Sequence, residues 1–191
     1  MVGDTVYYGD YDTYVYAVDA MTGEERWRVK TNAHIDCNVA VAGGTVFAAS
    51  KAGVAHALDA ASGEHAWTHD VRSEPHVTAT DGSHVYVGTG GQLHALEATT
   101  GTSCWSTTYG DTNGIGIAVG NGRVYTPLTI SGSEYGSLPG VLDAATSETL
   151  APTQGGFESP DARFYRGTAV VDGAVYASGV DEGGISLARF S

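Results

Sequence analysis

The sequence has only two cysteines, two methionines and, among nine basic residues, two lysines. Cys37 and Cys104 stand far apart in dissimilar surroundings, so they form neither a C-x-x-C pair nor a zinc-ligand spacing. They are read as small buried or half-buried side chains that do not identify a compartment. Lys30 and Lys51 are the lysines, and the 9 basic residues face 22 acidic ones, a formal net charge of −13. Nucleic-acid binding requires clustered Lys or Arg; without such a cluster, a nucleic-acid partner is excluded. No run approaches the roughly 18 apolar residues of a membrane-spanning helix, so no transmembrane segment is expected. The stretch Met1-Val2-Gly3-Asp4-Thr5-Val6-Tyr7-Tyr8 has no basic n-region and no apolar h-region, so no signal peptide is visible and the chain is read as starting inside the fold. A sustained helical period is also missing, which leaves an all-β chain.

The acids are dispersed along the chain and form no tail, which argues against a disordered acidic segment. Such scattered Asp and Glu with few Lys resemble proteins of salt-loving organisms, in which concentrated salt screens self-repulsion. The alternative is an ordinary acidic extracellular domain.

Repetition dominates what is present. Trp27, Trp67 and Trp105 are spaced by 40 and 38 residues. Four residues before each is a glycine that follows a hydroxyl residue: Thr22-Gly23, Ser62-Gly63 and Thr100-Gly101. Eight residues before each is an acid, Asp19, Asp59 or Glu97, and two further back an alanine, Ala17, Ala57 or Ala95. A second landmark recurs as Val6-Tyr7, Val46-Phe47, Val85-Tyr86, Val124-Tyr125 and Val175-Tyr176, each after a glycine turn. Each unit thus reads as four short strands, in the second unit about 38–41, 45–49, 54–59 and 65–69, with tight turns at Gly43-Gly44 and Ser62-Gly63. A period near 40 residues with four strands per unit describes a β-propeller. The units are approximately 1–37, 38–75, 76–112, 113–160 and 161–191.

The pattern Ala-x-Asp-x-x-Thr-Gly-x-x-x-Trp, seen from Ala17 to Trp27 and, with Ser62 for Thr, from Ala57 to Trp67, resembles the tryptophan-docking motif of the PQQ-like (quinoprotein-type) propeller repeats. That resemblance implies a blade in which the motif joins the third and outermost strands and the Trp packs on the neighbouring blade. The family includes quinoprotein alcohol dehydrogenases, the lipoprotein of the outer-membrane protein assembly machinery and exported proteins without assigned chemistry. The fourth unit departs from the pattern, with Ser147 in place of glycine and no following Trp. Regular blade docking is therefore expected to lapse beyond about residue 120.

With the strands of a blade lettered A (inner) to D (outer), the chain starts at B of the first blade and ends after C of the fifth, about four and a half blades. It is expected to be part of a seven- or eight-bladed ring, with a homodimer closing two half-rings as the alternative. B–C and D–A connections emerge at one end of a blade, and the two long ones both belong to the fourth unit: 129–140 (TISGSEYGSLPG) and 152–167 (PTQGGFESPDARFYRG). Tyr135, Arg163, Tyr165 and Arg166 within them are the candidate partner-binding residues. The competing reading is that these are decayed repeat loops.

Metal readings are weaker. His34-Ile35-Asp36-Cys37 offers three ligand types without a matching partner cluster. Asp10-Tyr11-Asp12 lacks the further acids and the glycine of a calcium loop, and is read as a solvated turn. His56 and His94 occupy one repeat position, where Tyr16 stands in the first unit, and read as packing residues. A quinoprotein dehydrogenase, as the resemblance implies, needs paired cysteines, a stacking Trp, calcium ligands and an aspartate base, and no such set is assignable here. The chain is accordingly read as a non-catalytic binding or scaffolding propeller at the cell surface, with no cofactor and with a protein or small-ligand partner. The alternative is a fragment of a dehydrogenase using PQQ and calcium.

Screening of the acidic surface yields a first prediction. In about 2 M KCl, light scattering coupled to size exclusion should report a compact particle, and in dilute buffer an expanded or associating one. Equal behaviour in both would remove salt from the account.

Overall fold

A hydrogen-bonded ladder at almost every turn-bounded segment is what period-2 alternation dictates, and the computed structural model has that form. It describes residues 2–108, 116–129, 137–152, 163–171, 174–181 and 184–190, with side chains described for 2–108, 116–126 and 140–150. The first sheet is β1 (Thr5–Gly9), β2 (Tyr14–Asp19) and β3 (Glu25–Lys30). The second is β4 (Ala40–Ala42), β5 (Thr45–Ser50), β6 (Val54–Asp59) and β7 (His65–Asp70). The third is β8 (Pro75–Thr80), β9 (His84–Thr89), β10 (Gln92–Glu97) and β11 (Ser103–Thr108). The fourth is β12 (Ala118–Gly120), β13 (Arg123–Thr129), β14 (Ser137–Asp143) and β15 (Thr149–Pro152), and the fifth is β16 (Arg163–Val171), β17 (Ala174–Asp181) and β18 (Gly184–Phe190). Strands within every sheet follow chain order, so the described structure is all-β meanders: three sheets of four strands flanked by two of three. This is the blade of a β-propeller.

Two compact units result, Met1–Thr89 with His94–Cys104, and Gly90–Leu93 with Trp105–Ser191. In the first, blades pack face to face. Val15 packs with Ile35, Val46, Ala48 and Leu58, and Tyr7, Trp27 and Val29 close round them. One blade on, Phe47, Ala49, Ala55, Ala57 and Val71 pack with Val85, Val87, Leu96 and Ala98. Small residues at 48, 49, 55 and 57 let the sheets approach, which explains the alanine content of β5 and β6.

The turn between the third and outer strands has one construction in four copies. Asp59 accepts hydrogen bonds from the Ala61 and Ser62 amides at 3.0 and 2.8 Å, and the Gly63 amide donates to the Asp59 carbonyl at 2.8 Å. Asp19 and Asp143 accept the equivalent amides. The longer Glu97 accepts the hydroxyls of Thr99 and Thr100 instead, at 3.1 and 2.7 Å. These bonds to the ionised form hold Asp19, Asp59, Glu97 and Asp143 below the usual carboxylate range, Asp19 chiefly through Arg26.

Three of the four turns receive the tryptophan of the preceding blade. The Trp27 indole N–H donates to the Ala60 carbonyl at 3.0 Å, Trp67 to Ala98 at 2.9 Å and Trp105 to Ala144 at 2.9 Å. The ring lies on the turn glycine: a Cβ on Gly63 would come within 2.9 Å of Trp27 Cδ2, and one on Gly101 within 2.6 Å of Trp67 Cδ2. Both glycines also have φ near +77° and +70°, a region costly to residues with a Cβ.

Two expectations need correction. The fourth unit still receives a tryptophan, because Trp105 meets the Ala144 carbonyl although Ser147 replaces glycine; Ser147 adopts φ 63° and closes the same turn through Asp143, while no Trp follows in the fourth unit itself. The 129–140 segment is also partly strand. β13 and β14 pair as far as Thr129↔Ser137, with Pro127 facing Pro139. Facing prolines fit a ladder only at a pair that exchanges no N–H bond, so both prolines sit within a hairpin.

The same turn with and without its tryptophan allows a test. A Cβ on Gly23, φ +74°, meets nothing within 4 Å. Gly23→Ala should cost about 1–2 kcal/mol of left-handed strain, and Gly101→Ala about 1–3 kcal/mol more from overpacking against Trp67. Denaturant unfolding of both variants measures the difference; equal losses would mean that the ring does not rest on the glycine.

Candidate functional site

In the first unit the B–C and D–A connections converge at one end of their sheets, and the backbone ties them together. The Thr31 amide and hydroxyl both donate to the Thr13 carbonyl, at 2.7 and 2.9 Å. The Ile35 amide donates to the Asp10 carbonyl and the Lys51 amide to the His34 carbonyl, both at 2.9 Å. The 31–39 connection is thus laced to the B–C turns of two blades. Ile35 is buried beside Gly9, where a Cβ would collide with it.

Charge organises this end. Lys51 reaches Asp36 at 2.7 Å and also pairs with Glu74, so one cation joins two successive D–A connections. The two carboxylates push the Lys51 ammonium pKa upward. Sequence reasoning missed this grouping, although the scarcity of lysine was a signal: a lone cation at a strand end, with acids at both neighbouring connections, is placed to bridge them.

The metal-type motifs are employed otherwise. The Asp10 carboxylate accepts the Tyr14 amide at 2.9 Å and closes the Asp10–Tyr14 turn, while Tyr11 projects into solvent with its ring 5.5 Å from His34. Cys37 is half-buried; its thiol donates to the Ala49 carbonyl, and burial raises its pKa. Cys104 is exposed, against the expectation of a buried side chain, because it follows the outward alternation of an outer strand. Among the described residues, no group of three or more His, Cys, Asp or Glu side chains is placed to hold a metal ion.

His56 and His94 sit in the blade faces. His56 is 4 % exposed with Nδ1 unpartnered, its Nε2 3.4 Å from the Asn32 side-chain oxygen and its ring 5.6 Å from that of His65. Burial, aided by the His65 charge, pushes its pKa down to about 4. His94 is shifted down likewise by burial and His69.

Of the candidate partner residues, Tyr135 lies outside the described residues. Arg163, Tyr165 and Arg166 were read as part of a 152–167 connection, but they belong to β16, which starts at Arg163. The strand register explains the misreading. Arg163 and Phe164 pair with Val180 and Gly179, and pairing then resumes at Thr168↔Ala177, so β16 carries extra residues against β17 at 165–167. Such bulges break the alternation that marks a strand in sequence. β16 runs beside β12, β13 and β14 within the second unit.

Against known proteins, residues 57–146 match the family described as outer membrane protein assembly factor BamB. The fold is that of a β-propeller. BamB from Moraxella catarrhalis superposes with a TM-score of 0.66 at 21% identity, covering 97% of this chain and 57% of that one. The computationally designed Ika8 protein superposes with a TM-score of 0.75 at 17% identity, covering 100% of this chain and 57% of that one. The chain therefore spans little more than half the length of either structure. No curated protein sequence matches it. No helix among the described residues is long and apolar enough to cross a membrane.

A pH dependence follows from His56. The folded chain resists its protonation more than the unfolded chain does, so this stability is intact above the ordinary value near 6.5 and is lost as pH falls from there towards 4. By pH 5 the loss should reach about 2 kcal/mol. Thermal unfolding of the parent chain and His56→Gln at pH 7 and pH 5 tests this: the variant should show the shallower pH slope, and equal slopes would sink the assignment.

Proposed function

We propose that the chain is a non-catalytic binding propeller that acts as a scaffold in protein assembly outside the cytoplasm. The observation that carries this reading is the match of residues 57–146 to an assembly-factor family, and the likeness to BamB supports it at the level of fold. The binding surface in this proposal is the B–C and D–A end of the fourth and fifth sheets, with Arg163, Tyr165 and Arg166 on β16, and Tyr135, as partner contacts. Two arginines with two tyrosines suit a partner that offers carboxylates and apolar area. Arginine also brings cations to a chain of net charge −13, so an acidic partner segment would be drawn to this place rather than to the surface at large. No cofactor enters the proposed activity.

Cross-linking in intact producing cells, followed by isolation of the chain under denaturing conditions, tests the reading. A discrete protein adduct is expected, and Arg163→Glu with Arg166→Glu should reduce it roughly tenfold, corresponding to a loss of about 1.4 kcal/mol in binding. The proposal fails if no adduct forms, if the double variant forms it undiminished, or if added PQQ and calcium support alcohol-dependent dye reduction.

A further inference from the structure

Burial rarely leaves a polar atom without a partner, yet His56 is 4 % exposed and its Nδ1 makes no hydrogen bond. The other ring nitrogen identifies the tautomer. Nε2 lies 3.4 Å from Asn32 Oδ1, and that oxygen already accepts the Ser50 hydroxyl at 2.7 Å. An acceptor facing Nε2 places the ring proton there, so the lone pair is on Nδ1. Burial keeps the ring neutral at pH 7, and this lone pair needs no deprotonation before it can bind a cation.

A second imidazole stands beside the first. β7 begins at His65, whose ring centroid is 5.6 Å from that of His56, with the planes inclined at 56°. The register explains the approach. His56 pairs with Thr68, Ala57 with Trp67 and Leu58 with His65, the ladder shifting between Ala57 and Leu58. That bulge turns His65 to the side of the sheet shared by His56 and Leu58; strict alternation would have put it on the other. His65 is exposed, so the pair opens to solvent at the outer strand while its inner member is buried. Protonated together, the two rings repel, whereas a cation held by both lone pairs turns the same proximity into attraction. Neighbouring blades do not repeat the pair: Tyr16 and Glu25 hold the two places in the first blade, and His94 and Ser103 in the third. Arg72 also stands in the third blade where Asn32 orients His56. Packing common to the repeat therefore does not account for this pair.

We propose that His56, through Nδ1, and His65 form a binding site for Zn²⁺, with Asn32 as the outer partner that orients the His56 ring. The donor set selects the ion. Two imidazoles suit a borderline transition metal and not calcium or magnesium, which take oxygen ligands. Zn²⁺ has no geometric preference from its d-electrons and accepts water at open positions. Among the described residues no third His, Cys, Asp or Glu completes a cluster, so water fills the remaining positions. A ligating histidine ordinarily donates its far N–H to an oxygen, and Nε2 faces Asn32 Oδ1 in that way. The net charge of −13 draws cations to the surface on which His65 lies.

Zn²⁺ titrated into the chain at pH 7, followed by nitrogen NMR of the imidazoles, tests the site. Before metal is added, His56 should carry its proton on Nε2. With metal, His56 Nδ1 and one ring nitrogen of His65 should shift together and saturate at one ion per chain. In calorimetry Asn32→Ala should weaken binding about 10-fold and His65→Ala by more, while His34→Ala leaves it unchanged. Zn²⁺ should also raise the melting temperature of the parent chain, and His65→Ala should lose that rise. The proposal is overturned if Zn²⁺ does not bind, if it shifts other histidines instead, if His56 carries its proton on Nδ1, or if His65→Ala binds as tightly as the parent.

Discussion

A tryptophan laid on a glycine turn, its N–H on a backbone carbonyl, is the contact on which the rest depends. A four-stranded meander buries one face poorly by itself, and its outer strand has no further partner. By reaching across to the next blade, Trp27, Trp67 and Trp105 cover that blade's turn and fix how the two sheets meet. The acid of each repeat then has a clear purpose. It satisfies the amides of the turn, so that the carbonyl one residue beyond it is presented outward to the indole, and replacing Asp by Glu at position 97 changes the donors without changing the turn.

This arrangement leaves the connections largely free of structural duty at the blade faces, so they are where binding chemistry can vary. In the first unit they are held by backbone bonds and by the Asp36–Lys51–Glu74 bridge. These partly exposed ion pairs add little stability individually, but they tie successive connections at one end of the blades. Burial of His56 and His94 has the opposite character. Imidazoles occupy positions that face a neighbouring blade, and the interface is expected to weaken as they charge.

The propeller class, the repeat length, the strand order and the motif positions were legible from the sequence because they rest on local signals: alternation, glycine turns and a tryptophan at a constant offset. The candidate surface was less legible. Arg163, Tyr165 and Arg166 looked like loop residues because the extra residues of β16 disrupt alternation. Lys51 gave no periodic signal, since its partners come from connections on either side of its own blade.

By itself, the sequence determined that the chain would form four-stranded blades and where each would turn, since those choices are made within about ten residues by sterics and hydrogen bonding. Tertiary structure alone decided which copies of the same turn are occupied. Gly23, Gly63 and Gly101 are alike in sequence context and in φ, but a tryptophan rests on two of them and none on the first. The difference arises from what lies across the blade face, and no local pattern can encode that.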